Sequence, residues 1–136
     1  MLLATSHTHH AFKRLKKRSQ FGIIIESAEP REPHHFSLLF GYGASAINPY
    51  LVNEIISYHH KIGILDNLSK SIENYNTAIA KGILKVMNKI GISTLHSYRS
   101  SQIFEALGLR KSFTEKYFSN TCLLYTSPSP RDRTRS

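Results

Sequence analysis

The stretch Gly41-Tyr42-Gly43-Ala44-Ser45-Ala46-Ile47-Asn48-Pro49-Tyr50-Leu51 restricts the possible folds of this chain more than any other segment. Two glycines bracket one aromatic, and glycine alone takes positive φ without a Cβ penalty, so a sharp turn is expected here. Ala44 to Ile47 are small or apolar, as a buried strand requires. Asn48-Pro49 reads as an N-cap followed by a first helical residue. The pattern is a strand-to-helix joint. Upstream, Gly22-Ile23-Ile24-Ile25-Glu26 reads as a strand apolar on both faces, which suits the centre of a parallel sheet. Between the two, Pro30 and Pro33 flank a turn, and Pro33 opens a helix over 34–40 with Leu38 and Leu39 toward the core.

The flanks read as helices. Residues 3–18 place Leu3, Ala4, His7, Ala11, Phe12 and Leu15 at helical spacings, predicting an apolar inner face and a basic last turn. From Pro49, a stripe of Leu51, Ile55, His59 and Ile62 runs to Gly63 at the C′ position. Apolar residues then recur at three- and four-residue steps from Leu65 to Ile90, giving one long amphipathic helix with Asp66 or Asn67 near its start and Gly91 past its end. Gly82 inside it costs about 1 kcal/mol relative to Ala unless a neighbour packs closely there. A helix from Ser97 to Leu107 and a last one capped by Ser112 and Glu115, bearing Phe113, Tyr117 and Phe118, complete the order. The fold class is α/β at the front and mainly helical behind. A parallel sheet covered on both faces needs more than two strands, so the chain is expected to be a fragment of a larger domain.

Chemistry-bearing patterns are sparse. The 136 residues hold 18 Lys+Arg against 9 Asp+Glu, and the excess sits in Lys13-Arg14-Lys16-Lys17-Arg18 and in Arg131, Arg133 and Arg135. The first cluster could hold phosphates in a free-standing nucleic-acid-binding module, the competing reading, but it lacks interleaved aromatics and a recognition motif. His7 and His10 have i, i+3 spacing with no third ligand nearby, and adjacent histidines diverge by about 100° on a helix. Gly41-Tyr42-Gly43 lies a strand's length before its helix and lacks the Lys-Ser/Thr of a phosphate loop. Glu26, Glu29 and Glu32 lie near a strand end, where α/β enzymes carry acids and bases, but no partner base or nucleophile is specified. No catalytic, cofactor-binding or metal residue is assigned. No apolar run approaches the ~20 residues of a membrane span, and one cysteine, Cys122, makes no disulfide framework. Cytoplasm is the expected setting.

From Cys122 the string Cys-Leu-Leu-Tyr-Thr-Ser-Pro-Ser-Pro-Arg-Asp breaks with the periodic pattern before it. It is similar, codon for codon, to a translated transposase sequencing adapter. Residues 122–136 are therefore expected to be a non-native, disordered tail, with the native protein continuing past about Thr121.

Several long motifs in order resemble the large subunit of glutamate synthase. They are Leu2-Leu3-Ala4-Thr5 with His9-His10, Gly22 to Ser27, Arg31-Glu32, His34-His35-Phe36, Gly41 to Ala44 and Ala46 to Leu51. Lys81 to Met87, Lys89 to Leu95, Ser97-Tyr98-Arg99 and Gln102 to Leu109 continue the match. Pro33 stands for a usual Val, Val52-Asn53 for a small-aromatic pair, and Ser100-Ser101 for Gly-Ala. The resemblance implies that residues 1–121 are part of the central domain, a barrel-like α/β region leading toward the flavin domain. It implies a parent enzyme that hydrolyses glutamine, passes ammonia through a tunnel and reductively aminates 2-oxoglutarate at FMN with a 3Fe-4S cluster. It implies as partners the other domains of the same subunit and a small NAD(P)H-oxidising subunit or ferredoxin, with no nucleic acid and no membrane. No cofactor is expected on this fragment, whose implied role is a scaffold, inactive alone.

Overall fold

A computed structural model describes residues 1–124. The element order is α1 (Leu2–Arg14), a 3-10 turn (Arg18–Gln20), β1 (Ile24–Glu26), α2 (Pro33–Gly41), β2 (Ala46–Asn48), α3 (Tyr50–Lys61), α4 (Leu68–Ile90), α5 (Leu95–Tyr98), β3 (Glu105–Leu107), α6 (Lys111–Tyr117) and β4 (Cys122–Leu124). It is a mixed α/β arrangement with two small sheets. β1 and β2 pair in parallel, with Ile24 opposite Ala46, Ile25 opposite Ile47 and Glu26 opposite Asn48. β3 and β4 form a second parallel pair, Glu105 opposite Cys122 and Leu107 opposite Leu124. Among the described residues, no helix is long and apolar enough to cross a membrane.

The first sheet and α2 build the core. Ile25, Leu39 and Ala44 are buried, and Leu2, Ile23, Phe40 and Ile47 pack around them. Burying a side chain the size of Ile25 or Leu39 contributes about 1.5–3 kcal/mol. α4 lies against α2 and α3. Its start is fixed by Asn67, whose side chain accepts from the Lys70 N–H at 2.9 Å, and its end by Gly91 in the left-handed region. The ring of Pro33 fills the space a side chain at Gly82 would occupy, so the close neighbour expected at this mid-helix glycine is a proline.

Several expectations change. The first strand is buried on one face only: Ile25 is enclosed while Ile24 is 76% exposed. Asn48 is not an N-cap. It belongs to β2, and its side-chain amide donates to Glu26 Oε1 at 3.0 Å across the parallel pair, so α3 starts after Pro49. The first helix stops at Arg14, with Lys16 at φ 57° turning the chain. The helix expected over Ser97–Leu107 closes after one turn at Tyr98, because Ser100 and Gln102 adopt φ 68° and 54°. Their N–H groups donate to Phe40 O and Gly41 O, both at 3.0 Å. A turn docked on the end of α2 thus replaces helix, and β3 follows it. α6 begins at Lys111, so Ser112 lies inside it rather than at its cap, and Glu115 faces Lys111 at 3.8 Å. Cys122–Leu124, placed by the sequence in the tail, form β4; residues 125–136 lie outside the described residues.

Candidate functional site

The most densely bonded polar region lies where α1 meets the turn after α2. α1 inverts the face its apolar spacing predicts: its buried residues are Thr5, Ser6, His9 and His10, while Leu3 and Leu15 are exposed. The partner surface explains this. Only the start of α1, at Leu2, reaches the apolar core; its buried polar side faces turns and helix ends whose backbone groups need partners, and a polar helix face meets that hydrogen-bonding demand. Ser6 donates to the Tyr117 carbonyl and Thr5 to the Met1 carbonyl.

His9 packs against Gly43. A Cβ on Gly43 would lie 2.5 Å from His9 Nδ1, and Gly43 has φ 109°, so both shape and backbone require glycine. Arg18 clamps the pair. Its Nε donates to His9 Nδ1 at 2.9 Å, one terminal nitrogen to Phe21 O at 2.7 Å and the other to Gly43 O at 2.6 Å. The Nδ1 contact leaves the His9 ring proton on Nε2. Burial, then the positive charges of Arg18, His10 and Lys13, lower the His9 pKa to about 4. His9 is therefore neutral near neutral pH, and its Nδ1 lone pair is already engaged, which makes it a fastener and not a general base.

His10 ties in the second half of the chain. Its ring nitrogens meet Gln102 Nε2 at 3.1 Å and Ser119 Oγ at 3.1 Å. Burial and nearby cations lower its pKa as well. Beside it, Tyr98 is fully buried and donates to Ser37 O at 3.0 Å. Tyr42 stacks on Phe104, meets Phe118 edge-on and shares a 2.8 Å hydrogen bond with Thr121. Phe104 also occupies the space beside Gly41, where a Cβ would lie 2.7 Å from its ring. The turn at 41–43 thus receives α1, the 3-10 turn, the 99–104 turn and the end of α6.

The carboxylates near the first strand do not converge. Glu26 holds Asn48, Glu29 pairs with the N-terminal amine at 3.2 Å, and Glu32 precedes α2, where His35 Nδ1 accepts from the backbone N–H groups of Arg31 and Glu32. His7 lies beside the Tyr117 ring, away from the bonds of His10. Among the described residues, no group of three His, Cys, Asp or Glu is placed to hold a metal ion. Arg18, read as one of five solvated cations, is drawn inward. Gln102 and Ser119 carried no signal in the sequence, since their partner His10 is about a hundred positions away.

The sequence model of the glutamate synthase central domain matches residues 1–110. The chain belongs to the glutamate synthase central-domain family. The NADH glutamate synthase of Saccharomyces cerevisiae is 46% identical over 129 residues, covering 88% of this chain and 6% of that protein. The large chain of the NADPH glutamate synthase of Bacillus subtilis is 46% identical over 121 residues, covering 88% of this chain and 8% of that protein. A ferredoxin-dependent glutamate synthase of Antithamnion sp. is 39% identical over 131 residues. The chain therefore spans less than a tenth of the length of these relatives. The competing reading as a nucleic-acid-binding module gains no support, and Arg18 is withdrawn from the basic face on which it rested.

Glutamate synthase chemistry implies a flavin and an iron–sulfur cluster, and the cysteine content here does not fit the cluster. A cluster is held by several cysteine thiolates, and the chain has one cysteine. A flavin ring needs a largely apolar slot, and the cleft of about 450 Å³ beside Arg18, walled by Lys13, Lys16, His96, Arg99 and serines, is not one.

Proposed function

We propose that residues 1–121 are part of the central domain of a glutamate synthase large subunit and act as scaffold between its glutaminase and FMN centres, with no catalytic centre of their own. The carrying observation is the match itself: 88% of the chain aligns with 6–8% of each relative, within the family's central domain. The polar seam supports the role. Four separated segments converge on Gly41 to Gly43 through hydrogen bonds and the packing of His9 on Gly43, an arrangement that holds geometry and engages its own proton-carrying groups. The whole enzyme, on this reading, makes glutamate from glutamine and 2-oxoglutarate in the cytoplasm. FMN and a 3Fe-4S cluster on other domains carry the electrons, supplied by a small NAD(P)H-oxidising subunit or by ferredoxin. Residues 122–136 are, on the same reading, adapter-derived and foreign to the enzyme.

Sequencing the genomic DNA that overlaps this frame tests the proposal. An upstream glutaminase frame and a downstream run of cluster cysteines, with the native frame diverging from this one after about codon 121, are expected. A start and a stop codon bounding this frame alone would overturn it.

A further inference from the structure

The seam has an outer side that the scaffold role does not use. A cleft of about 450 Å³ opens beside it, lined by Lys13, Lys16, Arg18, His96, Arg99 and two serines, Ser19 and Ser100. Its cations come from two parts of the chain some eighty positions apart, so the charge is concentrated only by folding. No carboxylate lines it. Among the described residues, the Arg99 guanidinium has neither a hydrogen-bond nor an ion-pair partner, although it shares the cleft with Arg18. Two guanidinium groups that share one open cleft repel each other, and the partial burial of Arg18 together with Arg99 lowers the Arg18 pKa.

The cleft is also built rather than merely charged. Three of the five N–H donors of Arg18 are engaged by His9, Phe21 and Gly43, which fixes the plane of the group and leaves two donors free. Ser100 holds its position at φ 68°, a left-handed conformation uncommon for a residue with a side chain, and it is pinned by its N–H bond to Phe40 O. A preorganised guanidinium, a second one beside it, lysines and hydroxyl groups make the donor set that phosphate oxygens take, with Arg supplying paired N–H bonds and Lys point charge.

The geometry points to a binding site for a small phosphate-bearing anion in the cleft between the end of α1 and the 96–100 turn, with Arg18 and Arg99 as its principal donors. Bound there, the anion neutralises the Arg18–Arg99 repulsion and couples the two segments. Its source is either free inorganic phosphate or pyrophosphate, or the phosphates of a nucleotide. The cleft holds no aromatic platform on which bases could stack, which favours a small ligand over a nucleic-acid strand.

Calorimetric titration of the chain with inorganic phosphate, pyrophosphate and ADP, each at ionic strength matched with sodium chloride, tests the site. Saturable one-to-one binding of pyrophosphate is expected, weakened about tenfold or more in Arg99→Gln, the loss of a charge-assisted hydrogen-bond pair. Arg99 is exposed, so the variant is expected to keep the wild-type circular dichroism; Lys13→Gln, in a separate segment, is expected to weaken binding by a smaller factor. ADP binding more tightly than pyrophosphate identifies a nucleotide as the source, and equal affinity identifies the free anion; either supports the site. Absence of saturable binding at matched ionic strength overturns it, as does unchanged affinity in both variants. Tighter binding of a single-stranded oligonucleotide than of pyrophosphate, lost in Lys13→Gln, overturns it in favour of a nucleic-acid surface.

Discussion

α1 and α4 are both amphipathic by spacing, yet they bury opposite kinds of residue. α4 turns Ile79 and Met87 inward, with Ile72, Ile83 and Val86 half-buried beside them. It meets α2, whose own helical surface offers side chains and the ring of Pro33. α1 turns Thr5, Ser6, His9 and His10 inward where, past Leu2, it meets a glycine turn and the ends of other elements, which carry backbone groups in need of partners. A helix buries what its neighbour can receive. Apolar spacing predicts the inner face only when the neighbour is another regular, apolar surface.

The sharpest way to break the α1 side is Gly43→Ala. The new Cβ meets His9 Nδ1, and φ 109° is unfavourable to any residue with a side chain. Backbone strain, overpacking and loss of the Arg18–His9 bond together give an expected destabilisation of about 3–5 kcal/mol. Urea unfolding of the variant checks it; a loss below about 1 kcal/mol would mean that the seam yields easily and that its hydrogen bonds do not fix the turn.

Acid titration separates the two regions next. The pKa of His9 falls from 6.5 to about 4 on folding, so between those values the unfolded chain binds a proton that the folded chain resists. Stability contributed by neutral His9 is complete above pH 6.5, declines as pH falls, and is gone below about pH 4. Allowing for residual solvent screening, the loss is on the order of 2 kcal/mol. His9→Gln, which keeps an acceptor but cannot titrate, is expected to flatten the pH 4–6.5 part of the stability profile. An unchanged slope would assign the acid sensitivity elsewhere.

What could be read in advance follows the same division. α4 was legible from end to end, because Asn67, Gly91 and the apolar stripe act within the helix itself. α2 and the parallel order of the first two strands were legible for the same local reason. The 99–104 turn was not. Ser97 to Leu107 is good helical sequence, and what stops it is remote: the carbonyls of Phe40 and Gly41 take the N–H groups of Ser100 and Gln102. β3 and β4 were hidden because each is three residues long and finds its partner across α6. The candidate site was hidden most. Arg18 stood inside a charge run, and nothing in a linear reading separates the one cation that turns inward from its neighbours in that run.

On the α4 side, Gly82→Ala pits two local effects against each other. Alanine gains about 1 kcal/mol of helix propensity, but its methyl group collides with the Pro33 ring, which cannot rotate away. Overpacking of this kind costs about 1–3 kcal/mol, so a net loss of about 1 kcal/mol is expected. The double variant Gly82→Ala with Pro33→Val is expected to recover it, and a thermal melt distinguishes the cases: if the single variant melts higher than wild type, α2 and α4 are not held at that distance by the proline.

The smallest effect has the opposite sign and tests how much strain the polar seam carries. Ser100 sits at φ 68°, where glycine carries no Cβ penalty, and the family resemblance places glycine at this position. Ser100→Gly removes the strain while giving back some unfolded-state entropy, for an expected net stabilisation of about 0.5–1 kcal/mol. The N–H bond to Phe40 O is made by the backbone and survives the change. If Ser100→Gly proves destabilising instead, the serine hydroxyl must hold something that glycine cannot, and the cleft it lines is where that contact would be found. Measuring the variant's urea midpoint with and without pyrophosphate separates the two: a strain effect is independent of the anion, whereas a hydroxyl contact is lost only when the anion is bound.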